Sequence, residues 1–238
     1  MNRFRFGLLL VATVLWIGRT TVHSGAAVRA FRAVDQRSGM FAPRGARLYA
    51  RFAPQILDGL YERATRDVVS LVGHRPESTV VDLGTGPGEL ALRLARSLPA
   101  TRVVGVEPAA TMRELAAARV AASGLANISF VAGDAGRMPL AEGTADVVVS
   151  TLSMHHWPDP AAAFREIARV LRPGGEARIF DARFAAYSVP ELQAFADRAG
   201  LDPSAVSRTV VAYRVVRPYV LVTLRPSAQP AVAAATAA

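Results

Sequence analysis

The sequence predicts an α/β fold: a doubly wound, mostly parallel seven-stranded sheet with helices on both faces and an antiparallel hairpin at its C-terminal end. Three observations carry this. Five short apolar runs alternate with helical patterns between residues 79 and 200. The first of them enters a glycine-rich turn that opens a helix. Two further β-rich runs then close the ordered part of the chain. A chain of 238 residues, half of them apolar, suits one such domain with modest extensions.

From Pro54 the pattern is helical. Ile56, Leu57, Leu60, Tyr61, Ala64, Val68 and Leu71 share one face, and Gly73 ends it. Thr79–Leu83 reads as a buried parallel strand. A helix runs from Glu89 to about Leu98, and Pro99 stops it. Strand two is Arg102–Val106. A helix from Ala110 to Ser123 follows, with Gly124 as its C-cap. Strand three is Ile128–Ala132 and strand four Ala145–Ser150, joined by a loop through Asp134 and Pro139. Asp159 and Pro160 form an N-cap and first-turn pair for a helix bearing Phe164, Ile167, Ala168 and Leu171. Pro173-Gly174-Gly175 breaks that helix before strand five, Ala177–Phe180, which leads to Asp181. Ser188-x-x-Glu191 is a capping box for a helix closing at Gly200. Arg208–Val216 and Tyr219–Leu224 are the hairpin runs. Residues 226–238 hold only Pro, Ala, Ser, Thr, Gln and Val and are expected to be disordered.

The organisation expected is therefore a segment 1–53, a folded domain 54–225 and a tail 226–238. Within the first part, residues 24–53 read as a loosely ordered lead-in. There is no cysteine, so disulfides and thiolate metal sites are excluded, and the four histidines lack metal-ligand spacing. No metal is expected.

Net charge is +9, carried by arginine alone. Residues 1–75 hold twelve arginines against four acids, whereas residues 76–238 hold sixteen against fifteen. The excess thus lies in the N-terminal segment, where a basic arm suits an anionic surface. Phe6–Gly18 is an uncharged, mostly apolar run flanked by Arg3, Arg5 and Arg19. As a helix it spans about 20 Å, short of the ~30 Å hydrocarbon core. Three readings stay open: an anchor or interfacial helix on the inner membrane face, a signal peptide, and a start at Met40. The arginine density after the run opposes export, so a cytoplasmic protein is expected. No aromatic-interleaved RNA-binding pattern accompanies the charge, and no nucleic-acid partner is expected.

Residues 80–88 read VVDLGTGPG, and Glu107 closes the next apolar run. Strand, glycine turn, helix, then an acid at the end of the second strand is the layout of a nucleoside-binding unit. A dinucleotide turn places its third glycine at 89, where this chain has Glu89; here the third glycine is Gly88. A carboxylate at that helix start repels a pyrophosphate, and Asp82 adds to the repulsion. A nucleoside with positive charge in place of phosphate fits better, and S-adenosyl-L-methionine is one.

At these residues the chain resembles the class I S-adenosylmethionine-dependent methyltransferases, most of all their type 11 small-molecule branch, which includes quinone and sterol methyltransferases. The matching text is VVDLGTGPG at 80–88, VVGVEP at 103–108, GDAGRMPL at 133–140, ADVVVSTLSMHHWPDP at 145–160 and ARVLRPGGEARIFD at 168–181. The resemblance implies a Rossmann-like fold and a bound S-adenosyl-L-methionine. It implies that Asp82 and the backbone of Gly84, Thr85, Gly86 and Gly88 surround the cofactor's methionine end. Glu107 would accept from the ribose hydroxyls, and Asp134 from the adenine amino group, with the Ala135 amide on the ring. Met138 packs on the adenine or belongs to the core. Ser150, at the carboxyl end of strand four, would contact the cofactor, and Tyr49 would cover it.

Methyl transfer needs a base only when the acceptor is protonated. His155 and His156, after strand four, are the candidates; the alternative is that both orient their loop. The Asn-Pro-Pro-Tyr motif of amide and adenine N-methyltransferases is absent, and Thr151-Leu152-Ser153-Met154 stands in its place. A small-molecule acceptor, suited by the apolar N-terminus to be hydrophobic, is the leading expectation. A nucleic-acid methyltransferase using the basic arm and a non-catalytic binding domain are the alternatives.

Overall fold

The computed structural model describes residues 43–73, 75, 77–213 and 216–226. The apolar run 6–18, residues 24–42 with Met40, and the tail after Pro226 lie outside the described residues. The elements in chain order are α1 (Pro43–Ile56), α2 (Asp58–Val72), β1 (Thr79–Leu83), α3 (Glu89–Ser97), β2 (Arg102–Glu107), α4 (Ala110–Ser123) and β3 (Ile128–Ala132). They continue with β4 (Ala145–Thr151), α5 (Pro160–Val170), β5 (Leu171–Ala182), α6 (Val189–Arg198), β6 (Val206–Tyr213) and β7 (Val216–Leu224).

The seven strands form one sheet in the order β3-β2-β1-β4-β5-β7-β6. β1 to β5 run parallel, while β7 is antiparallel to both β5 and β6. This is the predicted Rossmann-like architecture. Side chains alternate across the pleat, so each strand feeds two apolar layers. Val81, Val148 and Ile179 pack with Phe164, Ile167 and Leu192 of α5 and α6. Val80, Val103 and Val147 pack with Leu60, Val68, Leu90 and Leu94 of α2 and α3. β1 is buried along its whole length between β2 and β4, which is why it reads as a continuous apolar run. The strand order reverses between β1 and β4, which opens the ligand crevice at their carboxyl ends.

Local signals hold where they are stereochemical. Asp159 accepts from the Ala161 and Ala162 N–H groups at the start of α5. The Ser188–Glu191 capping box forms as expected.

Three expectations are corrected. Residues 43–53 are not a loose lead-in: they belong to α1, which carries Pro54 in its last turn. Ala46 and Ala53, seven residues apart, are its buried contacts, and small residues give a weak periodic signal. Pro173-Gly174-Gly175 does not separate helix from strand. β5 begins at Leu171 and runs through them, with a register shift against Ala145–Val147 that absorbs the extra residues. Finally, Val216 belongs to β7, and β6 starts two residues earlier than expected, at Val206.

Candidate functional site

After Leu83 the chain turns through Gly84 and Gly86 into α3. The Gly84 and Thr85 N–H groups donate to the Val106 carbonyl at 2.8 and 3.2 Å, clamping the turn to the end of β2. Gly84 has φ +71°, and a Cβ there would lie 2.2 Å from Ser153 Oγ, in the loop after β4. Glycine is therefore enforced by both the dihedral and the crossing loop. Gly84→Ala is expected to cost about 2 kcal/mol, a fall of roughly 4–8 °C in melting temperature. A thermal melt within 1 °C of the wild type, on the order of its measurement error, would show that Ser153 swings aside freely. At Gly86 (φ +54°) an added Cβ meets nothing within 4 Å among the described residues, which leave open space over the turn.

Two buried carboxylates flank that space. Asp82 Oδ2 accepts from the Thr85 hydroxyl at 2.6 Å, while its Oδ1 is buried with no hydrogen-bond partner among the described residues. Burial, opposed by the Thr85 hydroxyl and the Ala91 N–H and reinforced by the Glu107 carboxylate, pushes Asp82 up to about 7. Glu107 accepts from the Gly86 N–H through Oε2 and from the Ala109 N–H through Oε1, both at 3.0 Å. Burial raises its pKa against these two N–H groups and the charges of Arg113 and His156. Tyr49 of α1 stands over the same carboxylates: its hydroxyl lies 3.5 Å from that of Tyr61. Burial raises the Tyr49 phenol, against the Tyr61 hydroxyl, and both Glu107 and Asp82 add to the rise.

The remaining candidates divide. Ser150 is fully buried on β4, and its Oγ finds no partner among the described residues. Asp134 is exposed, and its Oδ1 accepts from the Gly136 N–H at 2.8 Å, which shapes its own loop. Ala135 and Met138 are buried in the apolar layer with Val106, so Met138 is a core methionine in this structure. Gly88 precedes α3 and packs near Ala116 and Phe130 rather than facing open space.

His155 and His156 lie in a single helical turn, Met154–His156, anchored by the fully buried Met154. Their rings are 4.0 Å apart, yet they have different neighbours. His155 is tied to Asp181 at the end of β5: its backbone N–H donates to Oδ2 (3.0 Å), and Nδ1 lies 2.6 Å from Oδ1. His156 instead acts electrostatically on Glu107. The Asp181 partnership was not legible locally, because 26 residues separate the two groups. The available signal was an acid ending an apolar strand, as Glu107 does on β2. Ser153, read from the sequence only as part of the polar turn after strand four, covers Gly84 and accepts from the Trp157 indole N–H at 2.9 Å.

Glu89 needs a correction. Its carboxylate does not face the turn as an isolated charge: Arg93 Nε donates to it at 2.8 Å, and Arg119 donates to its other oxygen. Despite burial, these guanidinium groups hold it below the usual carboxylate range. Its repulsion of phosphate is thus largely neutralised, and Asp82 and Glu107 are the acids that face the cradle. Among the described residues no group of three or more His, Asp or Glu is arranged to hold a metal.

A methyltransferase domain model matches residues 80–175. The methyltransferase GfsG of Streptomyces halstedii is 39% identical over 133 residues, which cover 56% of this chain and 45% of that protein. The demethylmenaquinone methyltransferase of Thermus thermophilus is 34% identical over 113 residues, 48% of this chain and 51% of that protein. The chain therefore spans about half the length of these relatives. Among solved structures, phosphoethanolamine N-methyltransferase 2 of Haemonchus contortus, in complex with S-adenosyl-L-methionine, superposes with TM-score 0.66 at 14% identity. That match covers 83% of this chain and 60% of the other. A SAM-dependent methyltransferase from Aquifex aeolicus gives TM-score 0.56 at 22% identity, covering 67% and 89%. These two likenesses speak for the fold. With the sheet order they give the chain the fold of these methyltransferases, and residues 80–175 match the methyltransferase domain family.

Proposed function

We propose that this protein transfers a methyl group from S-adenosyl-L-methionine to a small-molecule acceptor. The observation that carries the reading is the open cradle over Gly86, flanked by Glu107 and by the unpartnered Oδ1 of Asp82. A buried anionic oxygen without a donor is costly unless a ligand supplies a positive charge. A sulfonium amino acid does so, and a pyrophosphate does not. When bound, the cofactor supplies a methyl group on a positively charged sulfur. Asp82 and the Gly84–Gly86 backbone would hold its amino-acid end, Glu107 its ribose and Asp134 with Ala135 its adenine. Tyr49 would close the site, and Ser150 would line it. Calorimetric titration with S-adenosyl-L-methionine and then NADH tests this. Micromolar binding of the first alone is expected, and preference for NADH would overturn the reading.

His155 is the better-placed base. Asp181 fixes its ring and stabilises an imidazolium, the arrangement that lets a histidine take a proton from an acceptor hydroxyl or amine. His156, next to Glu107, is assigned to the cofactor side. Asp181→Asn is expected to lower turnover by about 10–100-fold with affinity for S-adenosyl-L-homocysteine within about twofold. A matched loss of cofactor affinity would make Asp181 a purely structural group.

Relatives named for methylating demethylmenaquinone and arsenite support a small acceptor, and the first supports a hydrophobic one. The catalytic domain expected at 54–225 is proposed to include α1 from Pro43, which contributes Tyr49. Among the described residues no helix is long and apolar enough to cross a membrane. The run 6–18 and its arginines are proposed to rest on an anionic cytoplasmic membrane face. Full-length protein should sediment with anionic vesicles at low salt, and a variant lacking 1–39 should not. Equal sedimentation of both would remove the anchor.

A further inference from the structure

The connection from β3 to β4 carries Asp134 and Ala135, the two groups assigned to the adenine. Residues 133–140 fold back on themselves. The Arg137 N–H donates to the Asp134 carbonyl at 3.2 Å, and the two residues form an antiparallel bridge. Pro139 packs on Gly133, where an added Cβ would lie 2.6 Å from its Cδ. Around Pro139 the chain makes a tight turn, with the Leu140 N–H donating to the Met138 carbonyl at 2.8 Å. Whatever fixes residues 138–140 therefore also fixes 133 and 134.

Two side chains of α5 fix them. Glu166 and Arg169 meet as a fork: Arg169 Nε donates to Glu166 Oε1 and Nη2 to Oε2, both at 2.8 Å. Each also reaches the loop backbone. Glu166 Oε2 accepts from the Met138 N–H at 2.9 Å. Arg169 donates to the Leu140 carbonyl through Nη1 at 2.9 Å and to the Met138 carbonyl through Nη2 at 3.2 Å. The Arg169 carbonyl accepts from the Gly143 N–H at 2.9 Å, farther along the same connection. The Arg169 guanidinium, against a smaller effect of burial, holds Glu166 below the usual carboxylate range. An exposed ion pair contributes little by itself. This pair is partly buried, and it directs donors and acceptors at the backbone of one loop.

We infer that Glu166 and Arg169 are positioning residues for base recognition: by fixing Met138 and Leu140 they hold Asp134 and Ala135 where these meet the amino group and ring of adenine, and so set the preference for an adenine nucleoside. This rests on the methyltransferase reading above. Without the anchor, a loop that contains Gly133 and Gly136 would have to be ordered by the ligand, at a cost in affinity.

The test compares calorimetric binding of S-adenosyl-L-homocysteine and S-inosyl-L-homocysteine by the full-length wild type, Arg169→Met and Glu166→Gln, each shown to be folded by circular dichroism. The inosyl ligand replaces the amino donor by a carbonyl and the adjacent ring acceptor by an N–H, so both loop contacts are lost. The wild type is expected to prefer the adenosyl ligand about 20-fold. Arg169→Met removes the donors to both loop carbonyls. It should lower the preference to about fourfold or less through weaker adenosyl binding, with inosyl affinity within about twofold. Glu166→Gln keeps one acceptor, for Met138 or for Arg169 but not for both, and should fall between. Without ligand, hydrogen exchange in residues 133–141 should quicken about tenfold or more in Arg169→Met, while β1 stays unchanged. Four outcomes overturn the inference and leave the methyltransferase reading standing: no base preference in the wild type, wild-type preference retained in both variants, equal weakening of both ligands, or unchanged exchange in the loop. A lower melting temperature with the preference retained makes the pair a stabilising contact only. If the wild type does not bind S-adenosyl-L-homocysteine, the methyltransferase reading falls and this inference with it.

Discussion

At pH 6 the protein is expected to bind S-adenosyl-L-methionine about tenfold more weakly than at pH 8, releasing close to one proton as it binds. The group responsible is Asp82. In the free protein its carboxyl titrates at about 7, against an ordinary 3.8, chiefly because it is buried. A cation is attracted only by the ionised form, so below pH 7 binding must first remove the proton. Above pH 7 the affinity levels off. The stability of the unliganded protein has the opposite sign. Between about 4 and 7 the folded state holds a proton that the unfolded chain has lost, so stability falls as pH rises through this window. Asp82→Asn should bind weakly at every pH, lose both trends, and take up or release no proton on binding. Calorimetry at three pH values, in two buffers of different ionisation enthalpy, measures all of this. A wild-type affinity that is flat from about pH 5.5 to about pH 8 would show that Asp82 does not meet the ligand's charge.

Glu107→Ala is expected to lower affinity for S-adenosyl-L-homocysteine by about 100-fold, near 2.7 kcal/mol. Two losses add. The ligand's hydroxyl donors lose a charged acceptor, worth roughly 1.5–3 kcal/mol. The Gly86 and Ala109 N–H groups lose the oxygens that hold the turn against β2. Glu107→Gln restores one acceptor but points an amide N–H at a backbone N–H, so an intermediate loss of about tenfold follows. Melting temperature should drop in the Ala variant even without ligand, because the turn is released. Asp134→Ala should cost less: Asp134 is exposed, and one of its oxygens is spent on its own loop. Affinity of Glu107→Ala within about twofold of the wild type would remove the central support for a nucleoside site.

The glycine turn and Glu107 were legible because each is a local signal: positive-φ positions demand glycine, and an acid ending an apolar strand is conspicuous. The same local reading misjudged Glu89. Its partner Arg119 is 30 residues away, and no spacing rule reveals that its charge is already balanced. It also passed over Asp181 as the partner of His155, since only the pairing of β4 with β5 brings the two together. α1 was missed for a different reason. Its buried face is made of alanines, whose small apolar area hardly registers as periodicity, while its arginines dominate the composition.

Element type, strand succession and the chemistry of the first turn are properties of this amino-acid order, because hydrophobic period, caps and glycine dihedrals act over a few residues. The long-range pairings answer to a different physics. Which carboxylates lie unpaired and which histidine is fixed by an acid depend on contacts between distant segments. The free energy of those contacts is set by shared burial, and burial exists only once the sheet has assembled.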